Sequence, residues 1–305
     1  MDIKKIGIFG LGAVGSYVLY GLQDKKEPEI CVIAKGARKE KLEQQGIFIN
    51  GTLFHPWVEE PGQTKDIDLL IVATKYQGLL DSIDEIASCI GEHTLVLSLM
   101  NGVNSEEILG NRIGKDRVIY SMIRINSVHN PDGITFNAEN VPGIFIGEKD
   151  TAEITPRIQA VLDAFAGSGV KITAVPDILT RIWNKYTYNI CVNLPQAVIG
   201  CGVGAFLDSV HMQNLYRNLL TEVRGIAAAK GIIVTTSEEP SIIGKKSAVF
   251  STLQDIRAGR KTEIDMFAGI VVQMGQELGI PTPYNQFLLD TIKALEEKND
   301  GLFDY

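Results

Sequence analysis

Cysteine and histidine are scarce in this sequence, which has four of each among its 305 residues. The cysteines form no C-x-x-C pair, so they are more typical of reduced thiols than of a disulfide framework. The histidines show no H-E-x-x-H or comparable ligand spacing. We therefore expect no disulfide framework and no metal site, and we expect a cytoplasmic protein.

Basic residues are outnumbered, with 29 Lys and Arg against 37 Asp and Glu and a formal net charge of -8. A nucleic-acid surface needs a clustered excess of Lys and Arg, so we expect no nucleic-acid partner. No apolar run approaches the ~20 residues that a membrane span requires. Residues 1–22 resemble a signal peptide, but their glycine spacing favours a nucleotide-binding loop instead. We therefore expect a soluble protein with no membrane partner.

A glycine-rich motif, G-L-G-A-V-G, follows an apolar strand pattern at residues 3–9 and opens a helical pattern at residues 13–22. In this strand–turn–helix context, G-x-G-x-x-G binds a dinucleotide pyrophosphate at the helix N-terminus. Gly10 permits the tight turn, Gly12 lets backbone amides approach the pyrophosphate, and Gly15 allows close helix–strand packing. The predicted cofactor loop comprises Gly10, Leu11, Gly12, Ala13, Val14 and Gly15.

Apolar runs and helical patterns alternate through the first half of the chain. Continuous apolar runs at residues 30–34, 67–73 and 94–99 are typical of parallel strands buried on both faces. Helical patterns at residues 38–45 and 79–88 separate them, as in a doubly wound sheet. The further predicted elements are strands at 118–125, 134–136, 143–146 and 170–173 and a helix at 154–165.

The rest of the sequence is helical. Its predicted helices are 177–200, 208–230, 240–258, 263–278 and 284–298. The sequence therefore predicts an α/β protein with an N-terminal Rossmann-type doubly wound parallel sheet at residues 1–175 and an all-helical C-terminal domain at residues 176–305. We expect the first domain to bind the cofactor and the second to bind substrate and carry the catalytic residues.

The residues after the second predicted strand bear on the choice of dinucleotide. NAD-binding domains usually place Asp or Glu there to accept a hydrogen bond from the ribose 2′-hydroxyl. Here the sequence is Lys35-Gly36-Ala37-Arg38-Lys39, with no carboxylate. Lys35 and Arg38 would attract a 2′-phosphate, which favours NADP(H) over NAD. The alternative is that both are solvated charges that open a surface helix.

Two further residues follow predicted strands, at the sheet edge where open α/β proteins bind ligands. Lys75 follows the strand at residues 67–73, and Asn101 follows the strand at residues 94–99 and precedes Gly102. We expect both to contact the cofactor. The alternatives are a surface cation and an ordinary Asn-Gly turn.

The first helix of the C-terminal half carries Lys185, Asn189 and Asn193 at every fourth position. At about 100° per residue, they fall within roughly an 80° arc of one helix face. The aromatic neighbours Trp183 and Tyr186 would disfavour a charged ammonium, which suits a lysine that donates a proton. Alternatively, the lysine extends to solvent and the asparagines satisfy backbone groups near a proline.

Four segments of the sequence resemble the ketopantoate reductase (2-dehydropantoate 2-reductase) family: G-L-G-A-V-G, S-L-M-N-G-V-N, W-N-K-Y-T-Y-N-I-C-V-N and F-S-T-L-Q-D-I-R-A-G-R-K-T-E-I-D. They occur in the family's order and span essentially the whole chain. The resemblance implies NADPH-dependent reduction of ketopantoate to pantoate, in pantothenate and coenzyme A biosynthesis.

The resemblance also implies roles for individual residues. Lys185 matches the family's general acid for hydride transfer to the 2-keto group, and Glu263 matches the glutamate beside the substrate. The residues that would contact substrate or cofactor are Asn101, Asn189, Asn193 and Ser251. For Glu263 the alternative is an acid that only complements the dipole of a helix first turn.

One position departs from the family pattern. Several family members have asparagine three residues before the serine, where it contacts the distal hydroxyl of the substrate, and this sequence has Ala248. The expected substrate is therefore either ketopantoate or a related branched 2-keto or 2-hydroxy acid. A reductase or dehydrogenase of such a related acid would use NADP or NAD. A non-catalytic NADP(H) sensor is a third alternative, and the presence of both Lys185 and Glu263 counts against it. Apolar faces on the helical domain allow a homodimer, but nothing in the sequence specifies one.

Overall fold

The computed structural model describes residues 2–64, 66–130, 133–242 and 244–305. The chain divides into two compact units, of which the first ends at Ile178 and the second begins at Leu179. The strands of the first unit are β1 (Lys5–Phe9), β2 (Glu29–Ile33), β3 (Ile47–Ile49), β4 (Thr52–Phe54), β5 (Val58–Glu59), β6 (Leu69–Val72), β7 (Leu95–Ser98), β8 (Val118–Arg124), β9 (Ser127–Asn130), β10 (Gly133–Phe136), β11 (Gly143–Gly147) and β12 (Ile172–Ala174).

The main sheet of the first unit has eight strands in the order β12-β11-β8-β7-β6-β1-β2-β5. Neighbouring strands are parallel except for the antiparallel pair β8 and β11. Within this sheet, β5-β2-β1-β6-β7-β8 has the strand order 3-2-1-4-5-6 of a doubly wound dinucleotide fold. The predicted Rossmann-type sheet is therefore confirmed.

Both faces of this sheet are buried, as the continuous apolar runs predicted. In β6, Leu69 and Ile71 belong to one hydrophobic cluster, whereas Leu70 and Val72 belong to another. Alternate residues of a strand point to opposite faces, so each face packs against its own core. The helices of this unit are α1 (Ala13–Leu22), α2 (Gly36–Gln45), α3 (Tyr76–Asp81), α4 (Ile83–Ser88), α5 (Ser105–Ile113) and α6 (Pro156–Phe165), with 3₁₀ turns at Lys115–Arg117 and Ala138–Asn140.

A second sheet, with strand order β4-β3-β10-β9, is not predicted by the sequence patterns. Its hairpin β3–β4 turns at Asn50 and Gly51, whose φ angles are 50° and 79°. Asn-Gly favours this two-residue turn because both positions need a positive φ. The Asn50 side-chain oxygen also accepts a hydrogen bond from the Phe136 N–H at 2.8 Å, which links the hairpin to β10.

The C-terminal region is helical, and this part of the predicted fold class is confirmed. Its α-helices are α7 (Ile178–Tyr188), α8 (Leu194–Ile199), α9 (Ala205–Asp208), α10 (Val210–Ala229), α11 (Ser251–Arg257), α12 (Ile270–Leu278) and α13 (Pro283–Asn299). Two π-helical segments, π1 (Asn189–Asn193) and π2 (Asp265–Gly269), interrupt the α-helical pattern. Among the described residues, no helix is long and apolar enough to cross a membrane.

The helix predicted at residues 240–258 is wrong at the described residues before Ser251, where α11 begins; residue 243 of this prediction lies outside the described residues. Gly244 has a φ of 88°, which an α-helix does not accommodate. The carbonyl oxygen of Ala248 accepts a hydrogen bond from the Val203 N–H at 3.0 Å instead of from a following turn. Long-range bonds therefore replace the helix ladder in this segment.

The long helix predicted at residues 177–200 contains π1. In π1 the Leu194 N–H donates to the carbonyl of Asn189, five residues earlier. Pro195 follows at once and has no N–H to continue an α-helical ladder. A π turn widens the helix locally, and such turns occur frequently at functional sites.

Candidate functional site

Three strands of the first unit end side by side in the sheet. Phe9 of β1 pairs with Val72 of β6, which pairs in turn with Ser98 of β7. The next residues continue this register, because the Ala73 N–H donates to the Phe9 carbonyl and the Leu99 N–H donates to the Val72 carbonyl, at 2.8 and 2.9 Å. The glycine loop and the segments that carry Lys75 and Asn101 therefore leave one edge of the sheet together. The strand order reverses at β1, and ligands of open α/β sheets bind at such a point.

The glycine loop has the backbone that its sequence predicted. Gly10 has a φ of 97°, and a Cβ there would lie 2.8 Å from the carbonyl of Ala73. A Cβ on Gly15 would collide with the carbonyl oxygen of Gly10. Gly12, in contrast, has no atom within 4 Å of an added Cβ, so this side of the loop is open. The loop leads directly into α1, which makes an open cradle at a helix N-terminus that fits a pyrophosphate.

The two basic residues after β2 have different partners. The Lys35 Nζ lies 2.6 Å from Glu85 Oε1, and the lysine side chain is 63% exposed. The Arg38 Nη2 donates to the carbonyl oxygen of Leu11 at 3.0 Å, so Arg38 contacts the glycine loop itself. The contact of Lys35 with Glu85, in α4, could not be predicted from sequence because the two residues lie 50 positions apart in the chain.

Lys75 and Asn101 occupy the segments that follow β6 and β7. Lys75 is exposed and precedes α3, and Asn101 is partly buried and precedes Gly102, whose φ is 101°. The two segments contact each other, because the Thr74 hydroxyl donates to the sulfur of Met100 at 3.7 Å.

A buried carboxyl lies in the first turn of α5, a few residues after Asn101. Glu106 is 5% exposed and accepts a hydrogen bond from the Ser105 hydroxyl at 2.9 Å. The Ser98 hydroxyl at the end of β7 donates to Ser105 Oγ at 2.7 Å. Desolvation by burial raises the pKa of Glu106 to about 7. No sequence pattern indicated this group, because an acid in a helix first turn is usually exposed.

Lys185 lies on α7, where two residues close to it in sequence have buried aromatic side chains. Trp183 and Tyr186 are 2% and 1% exposed, and Lys185 itself is partly buried. The Tyr186 hydroxyl donates to the carbonyl oxygens of Met266 and Phe267, at 3.2 and 2.6 Å. These bonds fix the helix of Lys185 against π2.

Glu263 lies two residues before the first residue of π2 and is partly buried. Its carbonyl oxygen accepts a hydrogen bond from the Phe267 N–H at 3.0 Å. The preceding residue, Thr262, is fixed by the carboxylate of Glu296, which accepts from the Thr262 N–H at 2.7 Å and from its hydroxyl at 2.6 Å. Glu296 is 5% exposed, so the backbone beside Glu263 is anchored to α13 by a buried acid.

Asn189 and Asn193 are the first and last residues of π1. The structure brings Asn193 and Ser251 together: Asn193 Nδ2 lies 3.3 Å from Ser251 Oγ. The Asn193 Oδ1 also accepts a hydrogen bond from the Thr252 N–H at 3.3 Å. Two candidate residues that are 58 positions apart in the chain therefore share one contact.

Gln196 is a polar residue of this region that sequence reasoning missed. It is completely buried, and its side-chain amide bonds to the backbone of Ala248 and Phe250. The sequence signal that could have indicated Gln196 is its spacing of three residues from Asn193, because residues three apart on a helix are neighbours on its surface. Within the described ranges, no group of three or more His, Cys, Asp or Glu side chains is placed to hold a metal ion.

Comparison with known proteins matches both parts of the chain to one family. Residues 6–150 match ketopantoate reductase PanE/ApbA, and residues 177–296 match its C-terminal domain. A 2-dehydropantoate 2-reductase of Mesorhizobium japonicum is 25% identical over 319 residues, which cover 95% of this chain and 97% of that protein.

Two solved structures have the same fold. A PanE/ApbA family ketopantoate reductase from Ralstonia eutropha has a TM-score of 0.79 at 22% identity, with 97% of this chain and 99% of that chain covered. D-mandelate dehydrogenase, solved with NADH and anilino(oxo)acetate, has a TM-score of 0.80 at 22% identity, with the same coverage of 97% and 99%.

Proposed function

This chain belongs to the ketopantoate reductase family of oxidoreductases, and on that premise we propose that it reduces ketopantoate to pantoate with NADPH. The observation that carries the proposal is the match of both sequence regions, 6–150 and 177–296, to the two parts of one family. The open glycine cradle in the first unit and the Asn193–Ser251 contact in the second support it.

The cofactor proposal rests on groups of the first unit. The cradle at Gly12 and the N-terminus of α1 would hold the pyrophosphate, and Lys75 and Asn101 follow the adjacent strand ends. Arg38, fixed on the Leu11 carbonyl, and Lys35 would meet a 2′-phosphate, which favours NADP(H) over NAD. Bound nicotinamide dinucleotide supplies the hydride for the reduction.

Lys185 is proposed as the general acid. Reduction of a ketone places negative charge on its oxygen, and a donor within hydrogen-bond reach must protonate that oxygen. The ammonium group of Lys185 would give up this proton, and the partial burial of this side chain restricts its solvation. Glu263 would supply the negative charge that keeps the ammonium protonated before the reaction.

Amide and hydroxyl groups are proposed to orient the substrate. Asn189, Asn193 and Ser251 can hydrogen-bond the carboxylate and polar ends of a 2-keto acid without adding charge to the site. The existing bond between Asn193 and Ser251 limits the freedom of both side chains, so less entropy is lost when substrate binds.

A second candidate is reduction of another 2-keto acid, and Ala248 favours it. Alanine at this position offers no hydrogen bond to a distal hydroxyl group of the substrate. The fold shared with D-mandelate dehydrogenase shows that this architecture also serves a different 2-hydroxy acid. Hydride chemistry and the role of Lys185 are the same in both candidates.

Steady-state oxidation of NADPH tests the proposal directly. Ketopantoate, 2-ketoisovalerate and benzoylformate, the 2-keto acid that corresponds to mandelate, are compared at saturating NADPH and again with NADH. The highest kcat/KM with ketopantoate and NADPH supports the proposal, and preference for another acid supports the second candidate. Tight NADPH binding without turnover of any acid would indicate the sensor and refute both.

A further inference from the structure

Ala248 and Ser251 lie in a segment whose backbone conformation is set by hydrogen bonds to residues elsewhere in the chain. Residues 248–250 have no regular secondary structure, and Ser251 is the first residue of α11. Their side chains are therefore placed by the partners of the neighbouring backbone groups rather than by a helix or sheet ladder. A residue that supplies hydrogen-bond partners to this backbone therefore affects which side-chain groups a ligand contacts at positions 248 and 251.

Gln196 of α8 supplies two of these partners. Its Nε2 donates to the carbonyl oxygen of Ala248 at 2.9 Å, and its Oε1 accepts from the Phe250 N–H at 2.7 Å. Gln196 is 0% exposed, so water does not replace these bonds in the folded chain. One planar amide therefore fixes the backbone on both sides of Val249.

Asn193, about one helical turn before Gln196, bonds to the next two residues of the same segment. Its amide lies 3.3 Å from both the Ser251 hydroxyl and the Thr252 N–H. Together, Asn193 and Gln196 hold every residue from 248 to 252 except Val249 by a direct hydrogen bond. They differ in one respect, because both hydrogen bonds of Gln196 go to backbone groups, whereas Asn193 also bonds to the Ser251 hydroxyl.

We propose that Gln196 is a positioning residue of the substrate site. It holds the backbone at Ala248 and Phe250 so that the side chains at positions 248 and 251 meet the distal end of a 2-keto acid. This role rests on the proposed reductase function and adds a specificity-determining residue that does not itself touch substrate. A glutamine that only satisfied a buried loop would contribute to stability without affecting substrate binding.

Gln196→Met separates these two roles, because methionine has a similar length but neither amide group. The matched control is Asn184→Leu. Asn184 also bonds to an irregular segment of the same unit, through Thr235 and Thr236 at 2.7 to 3.2 Å, and that segment carries no candidate site residue. KM and kcat for ketopantoate, the NADPH dissociation constant and Tm are measured for both variants and the unsubstituted chain.

We expect Gln196→Met to raise KM for ketopantoate roughly 10-fold, as the loss of two hydrogen bonds predicts, with an unchanged NADPH dissociation constant. Asn184→Leu is expected to lower Tm comparably and leave KM unchanged. Equal KM values in the two variants would overturn the positioning role. If Gln196→Met does not fold, Gln196→Asn is used instead, since its side chain is one methylene shorter and its amide does not reach both the Ala248 carbonyl and the Phe250 N–H; an unchanged KM there also overturns the positioning role. Failure of the unsubstituted chain to reduce any 2-keto acid would refute the proposed function itself.

Discussion

Replacing Glu106 by glutamine should make the stability of the fold less dependent on pH. Glu106 is 5% exposed, and burial raises the pKa of its carboxyl from 4.5 to about 7. Hydrogen bonds from the Ser105 hydroxyl and the Ser121 N–H, at 2.9 and 3.5 Å, only partly offset this effect. The protonated carboxyl is therefore the form that the folded chain favours.

The sign and the size of the effect follow from these two pKa values. Because the folded pKa lies above the unfolded one, this contribution to stability is fully present below pH 4.5 and is lost as the pH rises through about 7. Between about pH 5 and pH 8 the wild-type chain should lose about 2–3 kcal/mol of unfolding free energy through this group. Glutamine has nearly the same shape and does not ionise, so the unfolding free energy of the variant does not fall over this pH range through this group.

Urea unfolding of wild type and Glu106→Gln at both pH values measures the difference. The free energy of unfolding of the variant relative to wild type should rise by about 2–3 kcal/mol from pH 5 to pH 8. Glu107→Gln is the matched control, because it removes a carboxyl from the same helical turn at an exposed position. A relative free energy that is equal at the two pH values, or that changes as much in the control, would refute the reasoning.

Three further substitutions test the cofactor and substrate proposals. Lys35→Glu should weaken NADPH binding by at least about tenfold more than NADH binding, because a carboxylate repels the 2′-phosphate; equal losses would exclude Lys35 as its contact. Glu85→Gln releases Lys35 from its 2.6 Å ion pair. It should tighten NADPH by about two- to fivefold, the range of an exposed ion pair; a weaker or unchanged NADPH dissociation constant would contradict this. Ala248→Asn should raise the kcat/KM ratio of ketopantoate over 2-ketoisovalerate, since a new hydrogen bond contributes ~0.5–1.5 kcal/mol; an unchanged ratio would exclude position 248 as the determinant.

The elements that could be predicted from sequence are those with a strong local signal. The glycine loop and the buried parallel strands combine a fixed spacing with continuous apolar runs, and the structure contains both. The hairpin β3–β4 was missed because three-residue strands are too short for a periodic pattern, although its Asn-Gly turn is a recognised signal. The helix predicted at residues 240–258 failed before Ser251 because the backbone of residues 246, 248 and 250 bonds to distant groups.

The features of the candidate site that could not be predicted from sequence depend on contacts between residues that are far apart in the chain. Gln196 and Glu85 bond to partners that lie 50 to 54 residues away, and Glu106 bonds to Ser121, 15 residues away, as well as to its neighbour Ser105. The π turn at Asn189–Asn193 likewise depends on Pro195 together with packing against neighbouring helices. The role of Glu263 came from the family resemblance, and the role of Lys185 came from that resemblance together with its place on a mostly apolar helix; both stay predictions.

The catalytic role of Lys185 is the central claim, and kcat of Lys185→Ala tests it most directly. Loss of the proton donor should lower kcat for ketopantoate by about 10²–10⁴-fold, with an unchanged NADPH dissociation constant. Lys185→Arg should not restore kcat, because a guanidinium with a pKa above ~12 does not readily give up its proton. Near-normal kcat in both variants, with at most a small change in Tm, would contradict the account and identify Lys185 as a surface lysine.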